Sequence, residues 1–289
     1  MSGCMRRLIR FPDEHSFPDE HSFPDEHSFP DEHSFPHEHS FPHEHSFPHE
    51  YRASAMCNTL RLTELDRTSF PEVRDLVLAA EKEAATTEPR QYPGYPLWPL
   101  LRLRPQRMAS LQRTLVRRRS SPELGTVLPD RAALSRLLLF AHGITGEDHR
   151  GPVPSSGGLQ ALELYMVCFG GWLPAGLYHY QRLSHSMAQL ADGSNREAWL
   201  DRVPSLTRIT GGALLWVIVG DSQRLFHKYG TRSDRFLLLE AGHLMQNLCL
   251  LSAGLNLTTV PLGAFFESEI TQEFSLPESD RVLYMGVCG

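Results

Sequence analysis

A proline at every sixth position sets the first hard limit on what this chain can fold into. Residues 11–50 are a tandem hexapeptide, FPDEHS four times, FPHEHS twice and then FPHE. Such spacing interrupts any helix or sheet ladder before it propagates, and charged and histidine positions supply nothing for a core. The tract is expected to be disordered, and folded-type sequence begins at Met56, a candidate start of translation. His37, His39, His43, His45 and His49 are closely spaced, but a flexible tract offers no preorganised metal site. No resident metal is expected.

The repeat also distorts the overall charge. Residues 1–55 hold 11 of the 34 acidic and 4 of the 28 basic residues, a net of −7 that accounts for the whole formal −6. The remainder is nearly neutral and carries no basic field of the kind that nucleic acid demands. The five cysteines, Cys4, Cys57, Cys168, Cys249 and Cys288, are scattered without C-x-x-C spacing. A reducing cytoplasm is the expected location. No apolar stretch of signal-peptide length follows the basic residues 1–10. The most apolar run, Phe236–Ala253, is broken by Glu240, His243, Gln246 and Asn247, which argues against a membrane span.

Three regions are expected: the repeat extension (1–55), a helix and Pro/aromatic lead-in (56–108), and a patterned domain (109–289). In the second, a short helix near Pro71–Ala85 precedes YPGYPLWPL (92–100), a segment expected to lie extended across another surface. In the third, helices are expected at Ser110–Arg118, from an Asp130 cap to Gly143, at Asp221–Tyr229 and at Ser233–Ala253. Strands are expected at Leu162–Phe169, Leu177–Gln181, Leu214–Val219 and Arg281–Val287. The mixture indicates a layered α+β or α/β domain.

Five segments carry candidate chemistry. Arg117, Arg118 and Arg119 with Ser120 and Ser121 could cradle a phosphate, because guanidinium donates paired, planar hydrogen bonds; taken alone, a solvated basic helix end is the favoured account. Pro154-Ser155-Ser156-Gly157-Gly158 is a turn whose backbone N–H groups could approach an anion or a flat ring. Lys228 and Tyr229 could supply a cation and a proton donor or acceptor. Glu240, His243, Gln246 and Asn247 share one face of the long helix, a polar stripe suited to a helix or subunit interface. Gly263, within Val260–Phe265, would let the main chain lie against a planar ligand.

Taken in order, RRSSPELG (118–125), LSRLLLFAHGITG (134–146), PSSGGLQALELYMV (154–167), GLYHYQRLSHSMAQL (176–190), HKYGTRSDRFLLLEAGHLMQNLCLLSAGLNL (227–257), PLGAF (261–265) and VLYMGV (282–287) resemble the FMN-dependent nitroreductase superfamily. Within it they look like the SagB-type dehydrogenase branch. The resemblance implies an α+β fold, a central antiparallel sheet flanked by helices, working as a homodimer with FMN at the interface. It implies that Arg118, Arg119 and Ser120 hold the FMN phosphate and ribityl chain. Pro154, Ser155, Ser156 and Gly157 would lie along the isoalloxazine, and Leu262, Gly263 and Ala264 would face its reactive edge. Lys228 and Tyr229 match the Lys-Tyr pair of members that oxidise azolines. Pro122 stands where the family usually carries a further arginine. The implied activity is oxidation of thiazolines or oxazolines in ribosomal peptides to azoles, in a possible complex with a cyclodehydratase. A stand-alone NAD(P)H-dependent nitro or quinone reductase is the alternative, and a flavin-less scaffold of a peptide-modifying complex is the reading from another class.

Overall fold

The computed structural model describes Pro71, Arg74, Asp75, Val77 and residues 88–105, 110–146 and 149–289. The hexapeptide tract and Met56 lie outside the described residues, as does most of the expected helix near Pro71–Ala85.

Alternating side chains build the molecule from its middle outward. In the strand Leu162–Cys168 (β2), Leu162, Leu164, Met166 and Cys168 enter one core while Tyr165 and Val167 enter another. The strand Leu214–Asp221 divides likewise, Leu214, Trp216 and Ile218 against Leu215, Val217 and Val219. A two-residue period with both faces apolar gives a central strand covered on each side. Around this pair run Gly176–Gln181 (β3), Ser186–Asp192 (β4) and Asp280–Cys288. With Leu97–Pro99 as β1, Leu214–Asp221 as β5, Thr259–Leu262 as β6 and Asp280–Cys288 as β7, the seven-stranded sheet has the order β1-β4-β3-β2-β5-β7-β6. Every pairing is antiparallel.

The helices begin where short polar side chains satisfy exposed N–H groups. Ser110 caps Leu111–Arg117 (α1), Asp130 caps Arg131–His142 (α2), and Asp221 caps Ser222–Tyr229 (α3). The long Ser233–Gly254 (α4) follows almost at once, and Glu267–Glu273 (α5) is a short helix before β7. α4 packs on α2 and on the sheet, burying Leu237, Ala241, Leu244, Met245, Leu248 and Cys249. The stretch Ser222–Gly254 is apolar and long enough to cross a membrane by composition alone, yet half of it is buried within the fold. Leu238 and Leu239 on α4 remain 58% and 56% exposed, so this helix is apolar beyond what one chain covers.

Four elements differ from the sequence expectation, among them the short helix α5, where the sequence shows no helical periodicity. The proline/aromatic stretch does lie across another surface, but as the edge strand β1, pairing Leu97–Pro99 with β4. β4 and β6 were not expected as strands. β4 buries Ser186 and Gln189 as well as Met187 and Ala188, so it shows no clean alternation, and β6 contains Pro261, which an edge strand tolerates.

Candidate functional site

Two clusters of chemistry-bearing residues form at opposite ends of α4. At its C-terminal end a cleft of about 250 Å³ is lined by Arg117, Arg118, Arg119, Ser121, Cys249, Ala253 and Asn256–Thr259. Three consecutive arginines reach it because α1 ends at Arg117 and the chain then turns out of the helix. Arg117 Nη2 donates to Asn256 Oδ1 at 2.6 Å, and Arg119 Nη1 donates to the Arg118 carbonyl at 2.8 Å. Burial pushes the Cys249 thiol up to about 11 despite the opposing pull of Arg118, so this wall of the cleft is a neutral thiol. Ser120 is exposed and outside the lining, which takes Ser121 instead. From Thr259 in the cleft wall, β6 leads to Leu262, Gly263 and Ala264. The Leu262 side chain is buried in the second core, whereas Gly263 and Ala264 are exposed. The Ala264 carbonyl accepts from Ser205 Oγ at 2.8 Å, and no atom lies within 4 Å of where a Gly263 Cβ would stand. Main chain is thus presented to whatever occupies that space.

The second cluster is at the other end. Ser156 N–H donates to Glu240 Oε1 at 2.5 Å, and Gln160 N–H to Ser155 Oγ at 2.7 Å. Pro154 and Gly157 are exposed; Ser155 and Ser156 are half-buried. α3 ends at Tyr229, with Gly230 at φ 54 turning the chain into α4. That turn presses Lys228 and Tyr229 against Gly157: a Cβ built there would stand 2.7 Å from Tyr229 Oη and 3.0 Å from Lys228 Nζ. Tyr229 also packs edge-on to Phe236, ring centroids 4.8 Å apart. So the serine turn and the Lys-Tyr pair, 70 residues apart in sequence, form one group. Along the helix rise, Ala253 in the arginine cleft is about 20 Å from Glu240. Cys249, the cleft residue nearest along α4, is about 14 Å from Glu240 by the same rise.

The polar stripe of α4 divides: Glu240 is buried, while His243 and Gln246 are exposed and Asn247 donates to the Ala141 carbonyl. Behind the turn lies a buried charge network that sequence reading missed. Glu163 accepts from His179 Nε2 at 3.0 Å and pairs with Arg224 at 3.2 Å; Arg224 also pairs with Asp221 at 3.1 Å and donates to the Gln160 carbonyl at 3.0 Å. Arg90 joins Asp280 by two hydrogen bonds and reaches Tyr165, itself bonded to Tyr92. Burial would raise the Glu163 carboxyl, but His179, Arg224 and Arg90 outweigh it and hold it down at about 2. His142, fully buried and beside Arg182, is pushed down to about 3 and is neutral. Among the described residues no cluster of three His, Cys, Asp or Glu has metal-site geometry.

Comparison with known proteins gives a consistent picture. The Nitroreductase family profile matches residues 115–289. A nitroreductase by name, MJ1384 of Methanocaldococcus jannaschii, is 31% identical over 175 residues, 60% of this chain and 88% of that protein. Among solved structures, a nitroreductase by name from Ralstonia eutropha JMP134 superposes with a TM-score of 0.59 at 23% identity, covering 70% of this chain and 93% of the other. A chain of the E. coli microcin synthetase McbBCD complex with truncated pro-MccB17 bound superposes with a TM-score of 0.53 at 18% identity, covering 83% and 98%.

Proposed function

Because this chain belongs to the nitroreductase family, we propose that it is an FMN-dependent oxidoreductase of the SagB type. It is read as a cytoplasmic protein that oxidises thiazoline or oxazoline rings in ribosomally made peptides to azoles. The observation that carries the finer reading is the packing of Lys228 and Tyr229 against Gly157 of the serine turn. A cation and a phenol beside an exposed, glycine-faced turn form a proton-handling group next to a place for a flat ring.

The residues present fit FMN. Arg118 and Arg119 would hold the phosphate, in a cleft whose guanidiniums suit a dianion. Ser120, exposed at its rim, would reach the ribityl chain. Main chain at Gly263 and Ala264, and the stretch Pro154–Gly157 from the partner protomer, would bracket the isoalloxazine. Bound FMN would supply a two-electron acceptor for hydride. The protein's own work is to exclude water from the ring and to take one proton from the substrate ring carbon, with the Tyr229 oxygen, deprotonated beside the Lys228 cation, as the acceptor. Loss of that proton together with one hydride converts azoline to azole, and molecular oxygen then takes the electrons. The rise of about 14–20 Å along α4 from Glu240 to the cleft residues Cys249 and Ala253 and the exposed Leu238 and Leu239 of α4 support a homodimer in which each site draws on both protomers. The fold shared with a chain of McbBCD supports operation beside a cyclodehydratase.

A second reading is favoured by the relatives' names: a stand-alone NAD(P)H-dependent nitro or quinone reductase. The deciding experiment is the visible spectrum of FMN-loaded protein, anaerobically, with NADPH and then with an azoline peptide. Bleaching by the peptide and not by NADPH is the expected result. Bleaching by NADPH alone would make it a general reductase, and protein that stays colourless with added FMN would refute both readings.

A further inference from the structure

A buried carboxylate with no part in the reaction above calls for an explanation. Glu240 is 3% exposed on α4, amid leucines. Burial holds its carboxyl above the ordinary range, opposed by hydrogen bonds from Ser156 and Ser155. A carboxylate in such surroundings is costly unless its oxygens are engaged, and what engages it is the serine turn, through the Ser156 N–H and the Ser155 and Ser156 side chains.

That turn needs holding. Gly157, Gly158 and Gln160 all adopt left-handed φ, at 60°, 71° and 52°, within four residues. Its downstream end is anchored twice: Arg224 Nη1 donates to the Gln160 carbonyl at 3.0 Å, and Arg182 Nη2 to Gln160 Oε1 at 2.8 Å. Its upstream end, the part that meets Lys228 and Tyr229, is tied to the helix layer through Ser156 N–H to Glu240 Oε1. Within the turn, Ser155 Oγ accepts from Gln160 N–H at 2.7 Å and the Ser155 carbonyl from Gly158 N–H at 3.0 Å, while Glu240 is the contact that joins this end to α4.

Building on the proposed reading of the site, we propose that Glu240 is a positioning residue. By accepting the Ser156 N–H it fixes the height of the Ser155–Gly157 turn, and so the spacing at which Lys228 and Tyr229 meet a bound ring. Because the contact is an acceptor contact, a glutamine amide oxygen can replace it and an alkyl side chain cannot.

Amide hydrogen exchange on the FMN-free full-length chain tests this without any turnover. Wild-type Ser156 N–H should exchange more slowly than its exposed neighbour Gly157. In E240L its protection should fall by about 10-fold or more, the worth of a hydrogen bond to a charged acceptor, while the α4 core keeps its protection; E240Q should recover most of it. In FMN-loaded protein E240L should lower kcat with KM unchanged, and E240Q should restore kcat. Fast exchange at Ser156 in folded wild-type protein overturns the proposal before any variant is made. Equal loss in E240Q and E240L also overturns it. Were wild-type protein to show these exchange patterns yet oxidise no azoline, the assignment of substrate would fail and the tie would stand.

Discussion

Gly157 and Gly158 offer a matched pair of substitutions that separates backbone strain from displacement of the Lys-Tyr pair. Both have positive φ, 60° and 71°, so alanine at either costs about 1 kcal/mol in backbone conformation. They differ in what the added methyl meets. At Gly158 nothing lies within 4 Å, whereas at Gly157 the Cβ would stand 2.7 Å from Tyr229 Oη, 3.0 Å from Lys228 Nζ and 3.3 Å from Lys228 Cδ. To restore ordinary contact those groups must withdraw by roughly 0.5–1 Å. They are the ends of flexible side chains, so the retreat adds little to the stability loss. Misplacement of that size at a reacting centre can cost up to about 100-fold in rate. The expected result is that Gly157→Ala and Gly158→Ala unfold at similar urea midpoints, with kcat at saturating FMN at least about 10-fold lower in Gly157→Ala. The assay follows loss of two hydrogens from an azoline peptide by mass spectrometry. Equal kcat in the two variants would refute a role for Lys228 and Tyr229 in turnover.

Replacing both Arg118 and Arg119 by glutamine should weaken FMN binding by about 100-fold or more, at roughly 1.5–3 kcal/mol per charge-assisted hydrogen bond; fluorescence titration of the flavin checks it, and unchanged affinity would move the phosphate elsewhere. His142 gives a pH signature. Its folded pKa of about 3 lies below the ordinary 6.5, so the unfolded chain takes up the proton first and stability falls as pH drops from 6.5 toward 3. The loss should be about 2 kcal/mol by roughly pH 5, and His142→Gln should remove it in urea melts at a series of pH values. Glu163, held at about 2 against an ordinary 4.5, adds a second loss that begins below about pH 4.5 and runs toward 2, overlapping the lower part of the His142 range. Asp280→Ala removes the bidentate partner of the half-buried Arg90 guanidinium, leaving it the Tyr165 hydroxyl at 3.0 Å and the Asp221 carboxylate at 3.6 Å. It should cost about 3 kcal/mol; an unchanged urea midpoint would show that the Arg90–Asp280 pair adds nothing to stability.

What the sequence reveals about this fold is what is written locally. Ser110, Asp130 and Asp221 are short acceptors at the start of apolar periodic runs, and each caps a helix. The alternation of Leu162–Cys168 and the solid apolar run Leu214–Val219 mark the two central strands. β6 is harder to see because Pro261 and Gly263 carry the signature of a turn, and only its place at the sheet's margin permits the proline. α5 is hidden by its shortness and a single buried residue, Ile270. The candidate site divides in the same way. Clustered arginines and a serine–glycine turn stand out as types, but their distance apart along α4 does not. Arg90 and Asp280 are 190 positions apart, Ser156 and Glu240 84, and neither pair has any local pattern to betray it.

The order of the sheet places β1 and β6 at its two margins, and each of these strands contains a proline, Pro99 and Pro261. A marginal strand normally offers a row of donors and acceptors onto which another chain's strand can zip. Here each margin lacks one amide hydrogen, in strands of only three and four residues. Growth of a continuous sheet from molecule to molecule is thereby discouraged at both ends. Self-association is steered away from the strands and onto helical surface such as Leu238 and Leu239, where contact is made by side chains and so can be selective.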